Sequence, residues 1–346
     1  MTLPSPVPAR WWTRLDVEGA KTRFRCDLCP RGCVLAPGQR GYCHVRMATD
    51  GGLVLETWGR TTGLAVDPIE KKPLYHFLPG SRVLSFGTLG CNLGCRFCQN
   101  WTSSRGRAPA DGLLAALPEQ VVSVALAEGC RSVAFTYNEP LVFAEYALDV
   151  AAACRAAGLA TVAVTNGSAA PGAREDFFAG MDAANVDLKA FSDDFYRRLC
   201  GARLDPVLDT LRYLARERRV HLEVTNLLIP GENDGEDELC ALCAFVAEEL
   251  GVEVPLHFSA FYPAHEVQDR PRTPLTTLRR ARAIALERGL MHVYLGNVLD
   301  PGASDTTCPR CGALLVARAG YRTAPQGLRA GACARCGQTL AGRFTG

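Results

Sequence analysis

From about residue 83 onward, short hydrophobic runs alternate with longer stretches in which apolar residues recur at helical spacing. The runs predict strands over 83–88, 131–136, 160–165, 184–188, 220–229, 254–261 and 291–295. The stretches between them predict helices over 118–128, 141–157, 206–218, 236–250 and 276–288, with a short one after Pro171. Strands alternating with helices of this length argue for parallel βαβ crossovers. Roughly six or seven such units fit a partial or full α/β barrel, whose chemistry sits in the loops at the strand C-termini. Polar residues of chemical interest fall at those places. Cys91 follows the first predicted strand, Glu139 the second, Asn166 the third and Lys189 the fourth.

Composition narrows the class. Of 346 residues, 48% are hydrophobic, ample for a large core and unlike a disordered chain. Basic residues number 38 and acidic residues 36, so the net charge is +2. No strong field asks for nucleic acid or an anionic membrane. The opening MTLPSPVPARWW has no apolar signal core. The long uncharged stretch 156–173 is broken by Asn166, Gly167, Ser168 and Pro171, so no membrane span is expected. The expected location is the cytoplasm. There, sixteen cysteines point to metal ligands and thiols rather than disulfides.

Eleven of the sixteen cysteines lie in three tight groups. Cys26, Cys29, Cys33 and Cys43 form a head group, with His44 next to the last. Four thiolates there suit either zinc or an iron–sulfur cluster. Cys91, Cys95 and Cys98 have C-x3-C-x2-C spacing on one short loop. Three thiolates can hold three irons of a [4Fe–4S] cube and leave the fourth open to a small molecule. Gly90 and Gly94 are expected to let that loop wrap closely around a cluster. Cys308, Cys311, Cys333 and Cys336 make two CxxCG knuckles 21 residues apart, a zinc-ribbon or rubredoxin-like signal. So small a tail would draw its stability from the metal, with zinc favoured and iron the alternative. Cys130, Cys154, Cys200, Cys240 and Cys243 read as core thiols.

The C-x3-C-x2-C spacing, with Phe97 before the last cysteine, resembles the radical SAM superfamily. The resemblance implies a [4Fe–4S] cluster on Cys91, Cys95 and Cys98 as the catalytic centre, with S-adenosylmethionine (SAM) on the open iron. Reductive cleavage would give a 5′-deoxyadenosyl radical that abstracts hydrogen from a substrate. Thr136-Tyr-Asn-Glu139-Pro140 resembles the superfamily's Gly-Gly-Glu segment, with Tyr137 and Asn138 in place of the glycines. Val164-Thr-Asn166-Gly167 looks like the ribose-contacting element. Asp187-Leu-Lys189 looks like the segment that lies against SAM in glycyl-radical activating enzymes. On this resemblance Phe97, Asn138, Glu139, Asn166, Asp187 and Lys189 are the expected SAM contacts.

Upstream, Asp67-Pro-Ile-Glu-Lys-Lys-Pro-Leu-Tyr-His76, the head cysteines and Cys98-Gln-Asn-Trp101 narrow the likeness. They resemble the radical SAM member of the AmmeMemoRadiSam system, related to pyruvate formate-lyase activating enzyme-like proteins. That implies an electron donor such as flavodoxin or ferredoxin and a functional link to AMMECR- and MEMO-type proteins. It implies an α/β fold, a radical SAM partial (β/α)6 TIM-like barrel. An N-terminal Cys-rich extension and a C-terminal zinc-ribbon or rubredoxin-like module would flank it, dividing the chain at 1–80, 81–300 and 301–346. Glu70, Lys71, Lys72 and His76 are expected to cover the barrel mouth, and His257 to sit in the core or line the substrate cavity. The substrate, a small molecule or a protein, follows no motif. Glycyl-radical activation of a partner is the enzymatic alternative, and a non-catalytic metal-ribbon binding protein the alternative of another class.

Overall fold

The structure is a computed structural model that describes residues 4–16, 22–108 and 112–344. The strands are β1 Arg82–Phe86, β2 Ser132–Phe135, β3 Ala160–Thr165, β4 Ala183–Asp187, β5 His221–Leu228, β6 Leu256–Ala260 and β7 Val293–Gly296. Between them run helices α1 Pro118–Ala127, α2 Ala144–Ala156, α3 Pro171–Phe178, α4 Asp205–Glu217, α5 Glu236–Phe245 and α6 Leu275–Glu287. The alternation read from the sequence is therefore present. Two helices depart from expectation at their ends. The one expected from residue 141 starts as a 3-10 turn, Pro140–Phe143, and the one expected to reach residue 250 widens into a π turn, Val246–Leu250. No helix among the described residues is long and apolar enough to cross a membrane.

The chain gathers into two compact units, Met1–Val66 with Val83–Asp182, and Asp67–Arg82 with Ala183–Gly346. In the first, β2 lies between β1 and β3 and pairs in parallel with both, Phe135 standing beside Phe86 and Ala163. All four residues of β2 are buried, as expected of a parallel strand covered on both faces. Phe86 meets Phe135 edge-on at 5.5 Å between centroids and lies 5.5 Å from Tyr146 of α2. α1 begins at Pro118, where a missing N–H costs nothing, and Gln120 Oε1 accepts from the Leu117 N–H at 2.9 Å.

The head of this unit is two small antiparallel sheets. One joins Trp12–Leu15, Arg23–Cys26 and Val34–Leu35; the other joins Val7–Pro8, Gly52–Leu55 and Arg46–Thr49. A buried ion pair ties the head to α2. Arg46 Nη1 and Nη2 donate to Glu145 Oε2 and Oε1 at 2.9 and 2.6 Å. The Arg10 N–H also donates to Glu145 Oε1 at 2.6 Å. Removing either charge would strand the other in the interior, which typically costs about 3–5 kcal/mol.

In the second unit β4, β5, β6 and β7 pair in parallel in that order. α4 shows why its segment folds as it does: Val207, Leu211 and Leu214 recur at helical spacing, and all are buried. β5 carries an uncommon core group, Glu223, fully buried. Its Oε1 accepts from the His76 N–H at 2.7 Å and lies 2.9 Å from His221 Nε2. Its Oε2 lies 2.6 Å from His257 Nε2. Burial would push this carboxyl up, but the two imidazoles outweigh it and hold it well below the usual carboxylate range.

This network gives the polar residues of 67–76 structural partners within their own unit. His76 is buried, with Nε2 2.7 Å from the Tyr294 hydroxyl and Nδ1 2.9 Å from the Ala341 carbonyl. Lys72 is buried against Asp67 at 2.8 Å, and Glu70 accepts from the Gly80 N–H at 2.8 Å. These polar side chains hold their own unit together. His257 is likewise a core residue, packed edge-on against Tyr75 at 4.7 Å.

Candidate cluster and cofactor site

The loop after β1 carries Cys91, Cys95 and Cys98 and ends in a short helical turn, Trp101–Ser104. Its glycines serve close backbone approach, though not in the way the sequence suggested. A Cβ on Gly87 would strike the Thr136 carbonyl, one on Gly90 the Cys43 carbonyl, and one on Gly94 the Tyr42 hydroxyl. Gly90 also has φ +85°, a conformation that disfavours other residues. The loop is thus pressed between the segment after β2 and the head, and its glycines face protein.

Asn138 clamps this loop. Its Oδ1 accepts from the Thr88 N–H at 3.0 Å, and its Nδ2 donates to the Leu89 and Gly90 carbonyls at 3.1 and 2.7 Å. Tyr137, just before it, stands at φ +71°. That left-handed backbone explains physically why a glycine would suit the position. The Tyr137 carbonyl accepts from Asn100 Nδ2 at 2.9 Å, closing the far end of the loop.

Glu139 and Asn166 come together beside Cys91. Glu139 Oε1 accepts from Thr165 Oγ1 at 2.7 Å and from the Leu141 N–H at 3.0 Å. Its Oε2 accepts from the Asn166 N–H at 2.7 Å. Asn166 Nδ2 donates to Asn92 Oδ1 at 2.8 Å and lies 3.7 Å from Cys91 Sγ. Asn92 Nδ2 donates in turn to the Ser168 carbonyl at 2.7 Å. Both asparagines and the glutamate are buried. Burial pushes the Cys91 thiol well above its ordinary value, and the Glu139 charge and Cys95 push it further.

Asn92 was missed from the sequence. Its only signal there is its place between two cysteines, which says nothing of a bond to Asn166. Phe97 is buried, while Cys95 and Cys98 are half-buried, with Cys98 Sγ 3.7 Å from Ser104 Oγ. Asp187 and Lys189 lie in the second unit and pair with each other at 2.6 Å. The Lys189 backbone is fixed there: its N–H donates to Tyr196 Oη at 3.0 Å and its carbonyl accepts from Asn233 Nδ2 at 2.8 Å.

The tail thiols lie close together. Cys308 Sγ is 3.5 Å from Cys336 Sγ, and Cys311 Sγ is 3.7 Å from Cys333 Sγ. All four lie within 4.8 Å of one another. A single ion bound to four thiolates at about 2.3 Å holds its sulfurs about 3.8 Å apart, so the donor set fits one metal. The two knuckles repeat one design. Gly312 and Gly337 take φ +68° and +76°, and their N–H groups donate to the Cys308 and Cys333 carbonyls at 2.9 Å. Cys130, Cys154, Cys200 and Cys243 are buried; Cys240 is half-buried. Burial pushes the Cys154 and Cys243 thiols up to about 12, so these two stay protonated and unreactive.

Residues 86–243 match the radical SAM superfamily. The uncharacterised protein MJ0808 of Methanocaldococcus jannaschii is 42% identical over 311 residues, 90% of this chain and 91% of that protein. The pyruvate formate-lyase 1-activating enzyme of Escherichia coli K12 is more distant: 25% identical over 182 residues, 51% of this chain and 72% of that one. A radical SAM methyltransferase structure from Sphaerobacter thermophilus shares the fold, with a TM-score of 0.52 at 16% identity over 89% of this chain and 81% of that one. Superfamily membership implies a [4Fe–4S] cluster and SAM, and the three thiols on one loop, wired to Glu139 and Asn166, are a donor set that suits them. Residues 86–243 are a radical SAM domain, and the chain as a whole belongs to one family with MJ0808.

Proposed function

We propose that this protein is a radical SAM enzyme that reductively cleaves SAM to a 5′-deoxyadenosyl radical, which abstracts hydrogen from a substrate. Cys91, Cys95 and Cys98 would hold the catalytic [4Fe–4S] cluster, which supplies the single electron that breaks the sulfonium C–S bond. The observation that carries this reading is the unbroken chain of hydrogen bonds from Glu139 through Asn166 to Asn92, beside Cys91.

The residues of this chain have separate tasks. Asn138 holds the loop backbone at Thr88, Leu89 and Gly90, so it positions the thiols. Glu139 would accept from the SAM amino group, its carboxylate oriented by Thr165, Leu141 and Asn166. Asn166 would border the ribose. Phe97, buried beside Cys98, would help exclude water from the cofactor. Asp187 and Lys189, as an ion pair at a strand end, would offer polar contacts to SAM. The core would be a partial (β/α)6 barrel, with a metal, zinc favoured, at the tail thiols. The reading extends to a cytoplasmic site of action, a flavodoxin- or ferredoxin-class electron donor and a link to AMMECR- and MEMO-type proteins.

The 25% identity to an Escherichia coli activating enzyme supports a second reading, activation of a separate glycyl-radical protein. One experiment tests the shared chemistry. Protein reconstituted without oxygen and given SAM and a low-potential reductant is expected to release 5′-deoxyadenosine, and C91A/C95A/C98A is not. No 5′-deoxyadenosine from cluster-loaded wild type would defeat both readings.

A further inference from the structure

We propose that Cys26, Cys29, Cys33 and Cys43 hold a second [4Fe–4S] cluster, closed by four protein thiolates and seated against the loop of Cys91. The four thiols line one small cavity in the first unit, together with Arg31, Arg46 and Asn92. Local backbone brings them there. The Cys26 N–H donates to the Cys33 carbonyl at 2.9 Å. Gly32 turns the chain between Cys29 and Cys33 at φ +53°. The sulfurs of Cys33 and Cys43 flank Gly41, each 3.8 Å from where its Cβ would stand.

Spacing decides which metal centre suits the cavity. Among the described residues, the tail thiols form a group with all ligand atoms within 4.8 Å of one another. The head thiols do not, and neither do Cys91, Cys95 and Cys98. A lone ion needs its four sulfurs about 3.8 Å apart. A [4Fe–4S] cube carries one thiolate on each of its four irons and spreads them wider. By this measure the head resembles the catalytic loop and not the tail. It differs from the catalytic loop in having a fourth cysteine, so no iron is left open for SAM or substrate.

A second observation points to an anionic occupant. Arg46 is 1% exposed, lines the cavity, and leaves its Nε without a hydrogen-bond partner. A buried donor with no acceptor is costly, by about 1–3 kcal/mol, and a cluster sulfur or thiolate would supply the acceptor. The site also touches the catalytic loop. Arg31 Nε donates to the Asn92 carbonyl at 2.5 Å, and the Cys43 carbonyl packs on Gly90. Asn92 borders the head cavity and directly follows Cys91, so one residue separates the two thiol groups.

The inference stands on the head thiols alone and is tested without SAM. C91A/C95A/C98A, reconstituted anaerobically with iron and sulfide, is expected to keep about four irons and about four acid-labile sulfides per chain. Adding C29S and C33S should remove the sulfide and the about four irons bound with it. Sulfide is the telling quantity, because a tail holding one zinc or one iron contains none. A triple variant with no acid-labile sulfide, or with zinc at the head, overturns the proposal. So does sulfide that survives C29S and C33S. Mössbauer spectra of wild type loaded with 57Fe guard against misfolded variants. They should show roughly eight cluster irons, and about four would overturn the proposal equally.

Discussion

The tail knuckles and the Cys91 loop both gather thiols, yet they are held in opposite ways. Each tail knuckle is fixed by its own backbone. Cys308 and Cys333 each accept from the glycine four residues on, and each N–H finds a carbonyl five residues on, in Ala313 and Gln338. The Cys91 loop has little such support. It is fixed by Asn138 across its carbonyls and by Asn166 beside Cys91, residues that arrive on the ends of two other strands. A locally built site presents its ligands wherever it is placed. A remotely built site exists only when the surrounding fold is complete, and it lets the fold set the buried polar partners around a cofactor.

The sharpest way to break the comparison is to empty the tail. The buried apolar residues there are few, Leu315, Val316 and Leu340 beside the cysteines, too small a core to hold the segment alone. C311S/C336S should therefore lose the tail's metal and unfold it, since a structural zinc contributes an apparent free energy of about 10–16 kcal/mol. Limited proteolysis should cut within 306–340 while iron at the Cys91 loop is retained. A tail that stays protected without metal would show that its backbone alone suffices.

Next in size is Glu139→Ala. It orphans three donors: the Thr165 hydroxyl and the N–H groups of Leu141 and Asn166. At about 1–3 kcal/mol each, the loss in urea unfolding should exceed about 3 kcal/mol, and SAM cleavage should disappear. Glu139→Gln keeps an acceptor for one side but turns an amide N–H toward the other. It should fall between wild type and alanine in stability. Wild-type stability in Glu139→Ala would mean that the network does not hold the loop.

How much of this was legible follows the same division. The tail was readable because each knuckle is contained in five consecutive residues, C-x-x-C-G. The strands were readable because parallel strands buried on both faces leave continuous apolar runs, as in Ser132–Phe135. The spacing of the three cysteines put them on one loop, and Glu139 and Asn166 stand just past the strands after which the sequence put them. Asn92 was not, because its partner lies 74 residues away. Gly90 and Gly94 announced close approach, but not that Cys43 and Tyr42 make it. The partners of Lys72 and His76 were not legible either. Their burial depends on Asp67, five residues before, and on Tyr294, 218 residues on.

Asn138→Ala separates positioning from binding in the remote site. The variant strands the Thr88 N–H and two loop carbonyls, with an expected cost of about 2 kcal/mol. Iron retention at the Cys91 loop should fall while the tail metal count stays at the wild-type value. Equal loss from both sites would mean general unfolding and would erase the contrast.

The smallest effect tests how autonomous the tail is. The tail is anchored to the rest of its own unit at His76, whose Nδ1 faces the Ala341 carbonyl and whose carbonyl accepts from the Arg343 N–H at 2.8 Å, and at Arg318, whose Nη2 donates to the Tyr75 carbonyl at 2.7 Å. Facing a carbonyl, Nδ1 must carry the hydrogen, so Nε2 of the neutral ring is the nitrogen that can accept from Tyr294 Oη. Burial holds His76 well below its ordinary value, with His292 adding to the effect. Burial also pushes His292 down from 6.5 to about 4. A histidine lowered in the folded state binds protons more readily when unfolded. Its stabilising contribution is complete above about pH 6.5 and declines as pH falls toward the folded value, by about 1.4 kcal/mol per pH unit. Glu223, held low, adds to the loss only below the ordinary carboxylate range. His292→Leu should therefore lose about 1 kcal/mol less than wild type between pH 6.5 and 5.5 in urea unfolding. Release of any metal held by the tail should begin at a lower pH in that variant, because His76 loses a competing neighbour 4.4 Å away. Identical pH slopes in the two proteins would place the acid sensitivity elsewhere, and leave the tail as independent of its surroundings as its backbone suggests.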